Sequence, residues 1–395
     1  MTRNPLPLIG LAAFGLMALQ LCAQAQRLRV TNPLDADRSQ EVIETPLTQV
    51  LAQLRIPPEK LQFLVAEDAA SKRRIPSQLY SARPGAEPDT LLLLVQLPAK
   101  GAEEIAFRVD PAAPAQEPLV FGREATERKD DFAWENQLTA YRIYGPALEA
   151  TGEITSGIDV WSKRVPNFVI DSFYKRDHEG AITHNPALSY HKDNGQGLDS
   201  YYVGPTRGCG GTAVFVEGKL IVSKNYTVLR KLSDGPIRFA FEVTYAPWAA
   251  GGTTVTETKR ITLDAGTHLN RIDAQFAFSG PATLEFAAGI AVHEGAAAEF
   301  PDANGVASVW DTPQDPSAGR IPTGLVASAA QRAETRAAAG HALILFTRHS
   351  GEPFTYYAGS GWSKADMPTP EAWNSYLKAQ LLQIEHPLTV QWTGK

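Results

Sequence analysis

The chain has 395 residues, of which 44% are hydrophobic, and it carries a formal net charge of -6. This length allows two domains with ample cores, so the fold does not depend on disulfide bonds. The mildly acidic charge argues against a nucleic-acid-binding surface, and an anionic ligand would need cations gathered locally in one cleft.

The first 25 residues, MTRNPLPLIGLAAFGLMALQLCAQA, predict a secretory signal peptide. Arg3 supplies the positive start, residues 6–21 the apolar segment and residues 23–25 a small-x-small cleavage site before Gln26. No other apolar run approaches the length of a membrane span. We therefore expect an exported protein, periplasmic or secreted.

Two cysteines bear on this expectation. Cys22 offers an alternative, a lipoprotein anchor, which the bulky Leu21 before it disfavours. Removal of the signal peptide leaves Cys209 as the only cysteine, so no internal disulfide can form.

The segment 26–110 predicts a small β-sandwich with one short helix. Strand-like runs lie at Leu91–Leu97 and Ile105–Val109. Apolar residues at 47, 50, 51 and 54 have helical spacing, after Thr45 as the N-cap and Pro46 as the first helical residue.

The stretch DPAAPAQEP, which ends at Pro118, is rich in Pro and Ala and indicates a linker at 111–118. Residues 119–395 then form the predicted catalytic domain. Alternating apolar residues at 237–245 and 272–278 predict half-buried antiparallel strands. We expect a mainly β protein, in which the small N-terminal sandwich precedes a large antiparallel β-supersandwich with few helices.

Three local patterns complete this domain. FVEGKLIV, residues 215–222, predicts a hairpin, and HALILF from His341 predicts a strand. The only convincing helix here begins after Thr369 as cap, with apolar residues at 373, 376, 377 and 381 on one face.

Polar residues form three clusters outside these strands. The first two are ERKDDFAWENQLTAYRIYGP and SGIDVWSKR, where aromatic rings beside charged groups are typical of sugar binding, although each tryptophan alone is better explained as a core residue. Their substrate-binding candidates are Asp131, Trp134, Arg142, Asp159, Trp161 and Lys163. Asp199, in the third cluster, is a further candidate.

The third cluster is YHKDNGQGLDSYYVGPTRGCGG, residues 190–211. Its glycines allow positive φ angles and close approach to a ligand. His191 and Tyr201 can transfer protons, and Arg207 can grip a carboxylate through two hydrogen bonds. Such a stretch is more often a plain turn, but its length without periodicity favours a functional loop.

A bound divalent metal is the weaker alternative, and we expect no cofactor. His178, His184 and His191, with Asp177 and Asp193 nearby, match no tight metal-ligand spacing. Cys209 lacks a motif that would make it a nucleophile, and the sequence has no GxSxG, P-loop or dinucleotide-binding motif.

The motifs DDFAWEN, YRIYGPALE, SGIDVWSKR, YHKDNGQGLDSYYVGPTRGCGG and GSGWSK together resemble a bacterial family of unknown function encoded among polysaccharide-utilisation genes. One relative of this type is an oligosaccharide dehydratase acting on ulvan fragments. The resemblance covers nearly the whole mature chain. Gln196 stands where we expect Glu, and residues 200–202 replace an aromatic-Tyr-Lys pattern. Both departures put the carried-over chemistry in doubt.

The resemblance implies removal of the C5 hydrogen and the C4 hydroxyl of a terminal uronic acid, which leaves a 4,5-unsaturated sugar. Such an elimination needs a base, an acid and a cation that neutralises the carboxylate. We assign His191 to the C5 proton, Tyr201 to the departing hydroxyl and Arg207, or else Lys163, to the carboxylate. The reverse acid-base assignment stays open.

Three further expectations accompany these roles. Asp199 or Asp193 orients the histidine, and Lys364 lies at the rim of the site. The expected partner is an acidic oligosaccharide, with no nucleic acid and no membrane span. The particular polysaccharide and the oligomeric state stay open.

Two rival functions belong to other classes. A glycoside hydrolase would use two of the carboxylates Asp131, Glu135 and Asp199 across the scissile bond. A non-catalytic glycan-binding protein would use the same aromatic residues without needing His191.

Overall fold

The structure, a computed structural model, describes residues 26–394 apart from 304, 314, 332 and 333. The predicted signal peptide and its alternative anchor therefore lie outside the described residues. The helices are α1 Leu47–Leu54, α2 Pro146–Glu149, α3 Ile170–Thr183 and α4 Pro370–Glu385, with short 3-10 turns at Pro58–Phe63, Thr126–Arg128, Pro186–Leu188 and Pro316–Ala318. The strands are β1 Arg27–Thr31, β2 Arg38–Pro46, β3 Leu64–Asp68, β4 Arg74–Ile75, β5 Ser77–Tyr80, β6 Thr90–Leu97, β7 Ala102–Val109, β8 Val120–Ala125, β9 Asp131–Asn136, β10 Ala140–Ile143, β11 Asp159–Lys163, β12 Gly197–Leu198, β13 Cys209–Val216, β14 Lys219–Ile221, β15 Tyr226–Asp234, β16 Arg238–Tyr245, β17 Trp248–Ala250, β18 Thr253–Asp264, β19 Leu269–Phe278, β20 Leu284–Ala291, β21 Ala298–Asp302, β22 Val306–Asp311, β23 Ile321–Val326, β24 Glu334–Ala338, β25 His341–Arg348, β26 Phe354–Ser360 and β27 Thr389–Thr393.

The N-terminal part is a small sandwich, in which a five-stranded sheet, β27-β1-β7-β3-β4, accompanies a three-stranded sheet, β2-β6-β5. Its core includes Leu28, Leu91, Leu93 and Ile105. β27 comes from the other end of the chain and pairs antiparallel with β1. This strand lies outside the range 26–110 that was predicted for the N-terminal sandwich. Residues 111–118, the predicted linker, form neither helix nor strand. The domain boundaries themselves stay a prediction.

Two larger antiparallel sheets share the main core. One is five-stranded, β14-β13-β20-β25-β24, and the other has nine strands along β15-β16-β18-β19-β26-β23-β22-β21, with β17 beside β18. Aromatic residues fill the space between them, as where Phe276 of β19 stacks on Phe286 of β20 with ring centroids 4.3 Å apart. The predicted mainly β architecture is therefore confirmed.

A fifth sheet, β12-β11-β10-β9-β8, positions the site. One face packs into the main core through Phe132 and Trp134, whose rings each lie 4.8 Å from Phe241. On the other face, Trp161 stacks on Phe173 of α3 at 5.5 Å. Both faces are therefore covered.

The local predictions for the larger part are mostly confirmed. The β13–β14 hairpin turns at Glu217 and Gly218, both with positive φ, and β25 begins at His341. α4 begins after Thr369, whose hydroxyl accepts the Ala372 amide at 3.2 Å, because a free N-terminal amide needs such an acceptor.

Two helix predictions need correction. α1 begins at Leu47 rather than at Pro46, and the residue before it supplies no side-chain cap. The sequence analysis missed α3, because beyond Ile170, Phe173 and Tyr174 the helix buries only Gly180 and has no continuous apolar stripe. Among the described residues, no helix is both long and apolar enough to span a membrane.

Candidate active site

The alternation of side chains along β9, β10 and β11 places acidic and basic residues on one face of their sheet. Arg142 lies opposite Asp159, and Ala140 lies opposite Trp161. Directly opposed residues in antiparallel strands share a face. The face that carries Arg142 therefore also carries Asp159 and Trp161, while Phe132 and Trp134 point into the main core.

Arg142 is the centre of this face. Its Nη2 atom lies 2.6 Å from Asp159 Oδ2 and 2.9 Å from Asp199 Oδ2, and its Nη1 atom lies 3.7 Å from Asp131 Oδ2. The Tyr144 hydroxyl accepts from Arg142 at 3.1 Å and donates to Asp159 at 2.9 Å. We call these five buried residues the Arg142 cluster.

The carboxyl groups of the cluster outnumber its single guanidinium, so burial leaves some of them protonated. Burial raises the pKa of Asp199 to about 8, helped by the charge of Asp159 and opposed by Arg142. Burial also raises the pKa of Asp131 to about 6, against the charges of Arg142 and Arg128. Burial therefore favours the protonated form of Asp199.

Several polar atoms here make no hydrogen bond within the described part of the chain. They are both carboxylate oxygens of Asp131, Oδ1 of Asp199 and the Trp161 indole nitrogen. Buried polar atoms normally have hydrogen-bond partners, so several atoms without one in a single place mark a candidate binding site.

His191 forms the exposed edge of this site. Its side chain is 50% exposed, and its Nδ1 lies 2.9 Å from the main-chain oxygen of Asp199. A carbonyl oxygen can only accept, so Nδ1 carries the proton of the neutral ring and Nε2 keeps its lone pair. The ring also meets Tyr190 edge-on at 4.6 Å. Of the two aspartates expected to orient His191, Asp199 makes this contact.

Beside Tyr190 lies a cavity of about 410 Å³, which Arg128, Lys129, Tyr174 and His178 also line. Arg128 is 36% exposed, its Nε lies 3.3 Å from Asp131 Oδ2, and its Nη1 donates to the Tyr190 hydroxyl. An accessible guanidinium therefore stands next to the cluster.

Two glycines of the 190–211 segment allow the chain to pack closely against β11 and the residue before it, rather than against a ligand. A Cβ on Gly197 would lie 2.0 Å from the Ser162 carbonyl oxygen, and one on Gly208 would lie 2.2 Å from that of Ile158. Both have positive φ. They hold the segment against the sheet and so bring Asp199 to Arg142.

The structure thus brings together six of the predicted residues: Asp131, Arg142, Asp159, Trp161, His191 and Asp199.

Trp134 and Lys163 lie elsewhere. Trp134 is in the main core and donates its indole N–H to Asn270 at 2.7 Å. Lys163 is on the site's face of the sheet, but its Nζ is committed to Glu135 at 2.6 Å and to the Asn136 carbonyl at 2.7 Å. Both side chains are buried, so neither is exposed for contact with a ligand.

Arg207 is 2% exposed and packs against β20, where a Cβ added at Gly289 would lie 3.1 Å from its Cγ atom. Its guanidinium donates to Ser156 Oγ at 3.0 Å and to the Thr212 carbonyl at 3.2 Å. Burial lowers its pKa to about 10 despite the nearby charge of Glu257. The predicted grip on a substrate carboxylate does not fit this position.

Tyr201 and Lys364 also lie outside the Arg142 cluster. Tyr201 is buried, and its ring meets the His293 ring edge-on at 5.3 Å. Lys364 extends along the surface, where its Nζ donates to the Ser317 carbonyl at 2.6 Å.

The sequence analysis missed Arg128, Tyr144 and Tyr190 as site residues. All three lie inside the quoted motifs, and Tyr144 follows Arg142 by two positions, a spacing that favours one face of an extended chain. Within the described residues, no three His, Cys, Asp or Glu side chains are grouped as metal ligands would be.

The fold and site together define a mainly antiparallel β-sandwich protein with a buried acid-base cluster under one long loop. More particularly, the chain belongs to the family described as Domain of unknown function (DUF4861), whose model matches residues 30–390. A relative, "Uncharacterized protein P7" of Formosa agariphila, is 30% identical over 380 residues and covers 92% of each chain. The expected membership of a family of unknown function is confirmed, while the link to polysaccharide-utilisation genes and ulvan stays a prediction.

Two solved structures resemble the fold at low similarity. An alpha-mannosidase from Enterococcus faecalis V583 is 11% identical with a TM-score of 0.46, over 93% of this chain and 46% of that one. A glycosyl hydrolase family 38 protein from Enterococcus faecalis is 10% identical with a TM-score of 0.44, over 94% and 47%. The chain spans about half the length of these structures. Such scores carry no argument about function.

Proposed function

We propose that the protein is an exported glycan-processing enzyme, a carbon-oxygen lyase that forms a 4,5-unsaturated uronate at the non-reducing end of uronate-containing oligosaccharides. The observation that carries this proposal is His191, a half-exposed imidazole whose Nδ1 is fixed by the Asp199 carbonyl. A base oriented in this way above a buried polar cluster suits the removal of a carbon-bound proton.

The base works through Nε2 of His191. Because Nδ1 donates to a main-chain oxygen, the ring is held in the tautomer whose free lone pair is on Nε2. His191 is free to take the C5 proton of a sugar that lies against the loop.

Arg128 is the group that we assign to the substrate carboxylate, in place of Arg207 and Lys163. It lines the 410 Å³ cavity beside Tyr190, and its guanidinium is partly exposed. A guanidinium can grip a carboxylate through two parallel hydrogen bonds, which draws charge from C5 and makes its hydrogen more acidic.

A glycoside hydrolase fits the same residues less well. Glu135 is committed to Lys163 and to the main-chain amides of Val169 and Ile170, so it caps α3. Asp131 and Asp199 are buried. A pair of carboxylates able to flank a scissile bond is therefore lacking among the three candidates. A non-catalytic glycan-binding protein is the second function that the exposed Arg128 and His191 favour.

The test is to incubate the protein with uronate-terminated oligosaccharides and to follow ultraviolet absorbance and product mass. We expect a conjugated double bond and the loss of one water without chain cleavage. His191→Gln should lower turnover by about a hundredfold or more. His386→Gln, which changes an exposed histidine at the end of α4, is the matched control and should act as wild type.

Three outcomes would contradict the proposal. Chain cleavage would indicate a hydrolase or a chain-cleaving lyase, and binding without turnover would indicate a glycan-binding module. Wild-type turnover by the His191→Gln variant would show that the loop is only a turn.

A further inference from the structure

A second imidazole, that of His293, has a buried carboxylate partner and lies outside the Arg142 cluster. His293 follows β20, and its Nδ1 lies 2.5 Å from Oδ2 of Asp311, the last residue of β22. Asp311 is 1% exposed, and its Oδ1 accepts the Thr312 amide at 2.8 Å. The carboxylate is fixed on both sides, so it holds the imidazole in one orientation.

This pair borders the same loop as His191. The His293 ring lies 5.3 Å from the Tyr201 ring and 6.2 Å from the Tyr202 ring. His191 contacts the main chain of Asp199, and the His293 ring meets the ring of Tyr201, two positions further along the loop.

The segment that follows β22 is tied to this loop as well. The Asp315 amide donates to Ser200 Oγ at 3.3 Å, and the Asp315 carboxylate lies 3.7 Å from Nζ of Lys192. The loop is therefore connected to the His293–Asp311 pair at more than one point.

Two buried polar atoms at this place lack a side-chain partner within the described residues, Nε2 of His293 and the hydroxyl of Tyr201. Their neighbours are main-chain groups, of Tyr202 for the imidazole and of Ala291 for the hydroxyl. The other nitrogen of the imidazole is held by a carboxylate, which is the arrangement of a general acid or base.

We propose that His293, held by Asp311, is the proton donor of the elimination, and that its Nε2 delivers the proton to the departing C4 hydroxyl. The inference rests on the proposed function and replaces Tyr201 in the role that the sequence analysis gave it.

The protonation states of the two side chains agree with this assignment. Burial lowers the pKa of His293, but the hydrogen bond and charge of Asp311 outweigh it, so the pKa is raised above its usual value. Burial raises the pKa of Tyr201 well above that of a free tyrosine. A cationic imidazole is the stronger acid of the two, so it is the better donor to a leaving hydroxyl.

The step balances without any further reactant. Nε2 of His191 takes the C5 proton, and the electron pair of that C–H bond becomes the C4–C5 double bond. The C4–O bond breaks with its electron pair on oxygen, which receives the proton of His293 and leaves as water. His191 has then gained one proton and His293 has lost one, and exchange with solvent restores both.

A substrate whose C4 hydroxyl is replaced by fluorine tests this role, because fluoride leaves without being protonated. For His293→Gln we expect water elimination to fall about a hundredfold or more, while fluoride release stays within a few-fold of wild type. Retained fluoride release also shows that the variant is folded. His191→Gln should lose both reactions, and the control His386→Gln should keep both within a few-fold.

The outcomes separate the two proposals. Wild-type protein that turns over neither substrate would overturn the proposed function and, with it, this inference. If the wild type is active, two results for His293→Gln would overturn the inference alone. They are that the variant keeps water elimination, or that it loses both reactions equally. The same holds if Tyr201→Phe, rather than His293→Gln, loses only water elimination.

Discussion

Replacing Asp199 by Asn should make the protein less sensitive to alkaline pH. Asp199 is buried beside Arg142 and Asp159, and burial raises its pKa to about 8. Asn has nearly the shape of a protonated Asp, and its Oδ1 can still accept from Arg142 Nη2, which lies 2.9 Å from the present carboxyl oxygen. The substitution therefore fixes the neutral state of this one group.

The sign and size of the effect follow from proton linkage. An Asp in the unfolded chain has a pKa of about 4, so between that pH and about 8 the folded protein binds more protons than the unfolded chain. Stability then falls as pH rises, by at most about 1.4 kcal/mol per pH unit for one proton. Between pH 6 and pH 8 the wild type should lose about 2 kcal/mol, and the variant should lose much less. Asp131, with a pKa of about 6, contributes mainly below this window.

Urea denaturation of both proteins at several pH values between 6 and 8 measures this difference. Other titrating groups are common to both proteins, so they cancel in the comparison. Asp193→Asn is the matched control, because Asp193 lies in the same loop in a partly exposed ion pair with Arg164. Its pH dependence should follow wild type. Parallel stability curves for wild type and Asp199→Asn would refute the reasoning about the Arg142 cluster.

Three further outcomes are expected. Lys163→Met should lower the free energy of unfolding by about 3–5 kcal/mol in urea denaturation, because it leaves Glu135 as a buried carboxyl without its cation. Adding Glu135→Gln should recover much of this loss. A loss under about 1 kcal/mol would contradict the buried pair. Cys209 is buried, and burial raises its pKa, so a thiol reagent should modify it only after unfolding, and rapid labelling of folded protein would count against this burial. Limited proteolysis should cut within 110–118 before it cuts within 239–245, and the reverse order would argue against the predicted domain division.

The sequence predicted where the strands lie better than it predicted which elements pack against them. Alternation gave β16 and β19 because side chains in a strand have a period of two, and burial of Ile272 and Phe276 follows that period. Alternation alone did not show that both faces of β16 are covered near Arg238, which pairs with Glu44 of the N-terminal sandwich.

About half of the site residues could be predicted from the sequence. The motif that holds Arg142 and the one that holds Asp159 are short strands whose pairing puts these residues on one face. Arg207 lies in a loop motif of the same polar character, yet its side chain is buried against β20. Nothing local distinguishes these two arginines, because register and sheet packing decide which side chain is accessible.

His293 could not be found in this way. Its partner Asp311 and its neighbour Tyr201 come from distant strands and loops, and no motif surrounds it. Only the topology of the two large sheets brings the three together.

The pairing of β27 with β1 has a consequence for biosynthesis. During translation β1 leaves the ribosome early, while β27, which covers its edge, is made after the strands of the larger sheets. The N-terminal sandwich must therefore wait, with an unpaired edge and part of its core uncovered, until the larger sheets have been synthesised. An early-terminated chain would keep that edge open, and a tag fused after Thr393 would project beside Arg27. Completion of the N-terminal sandwich thus requires that the strands of the larger sheets have already been made.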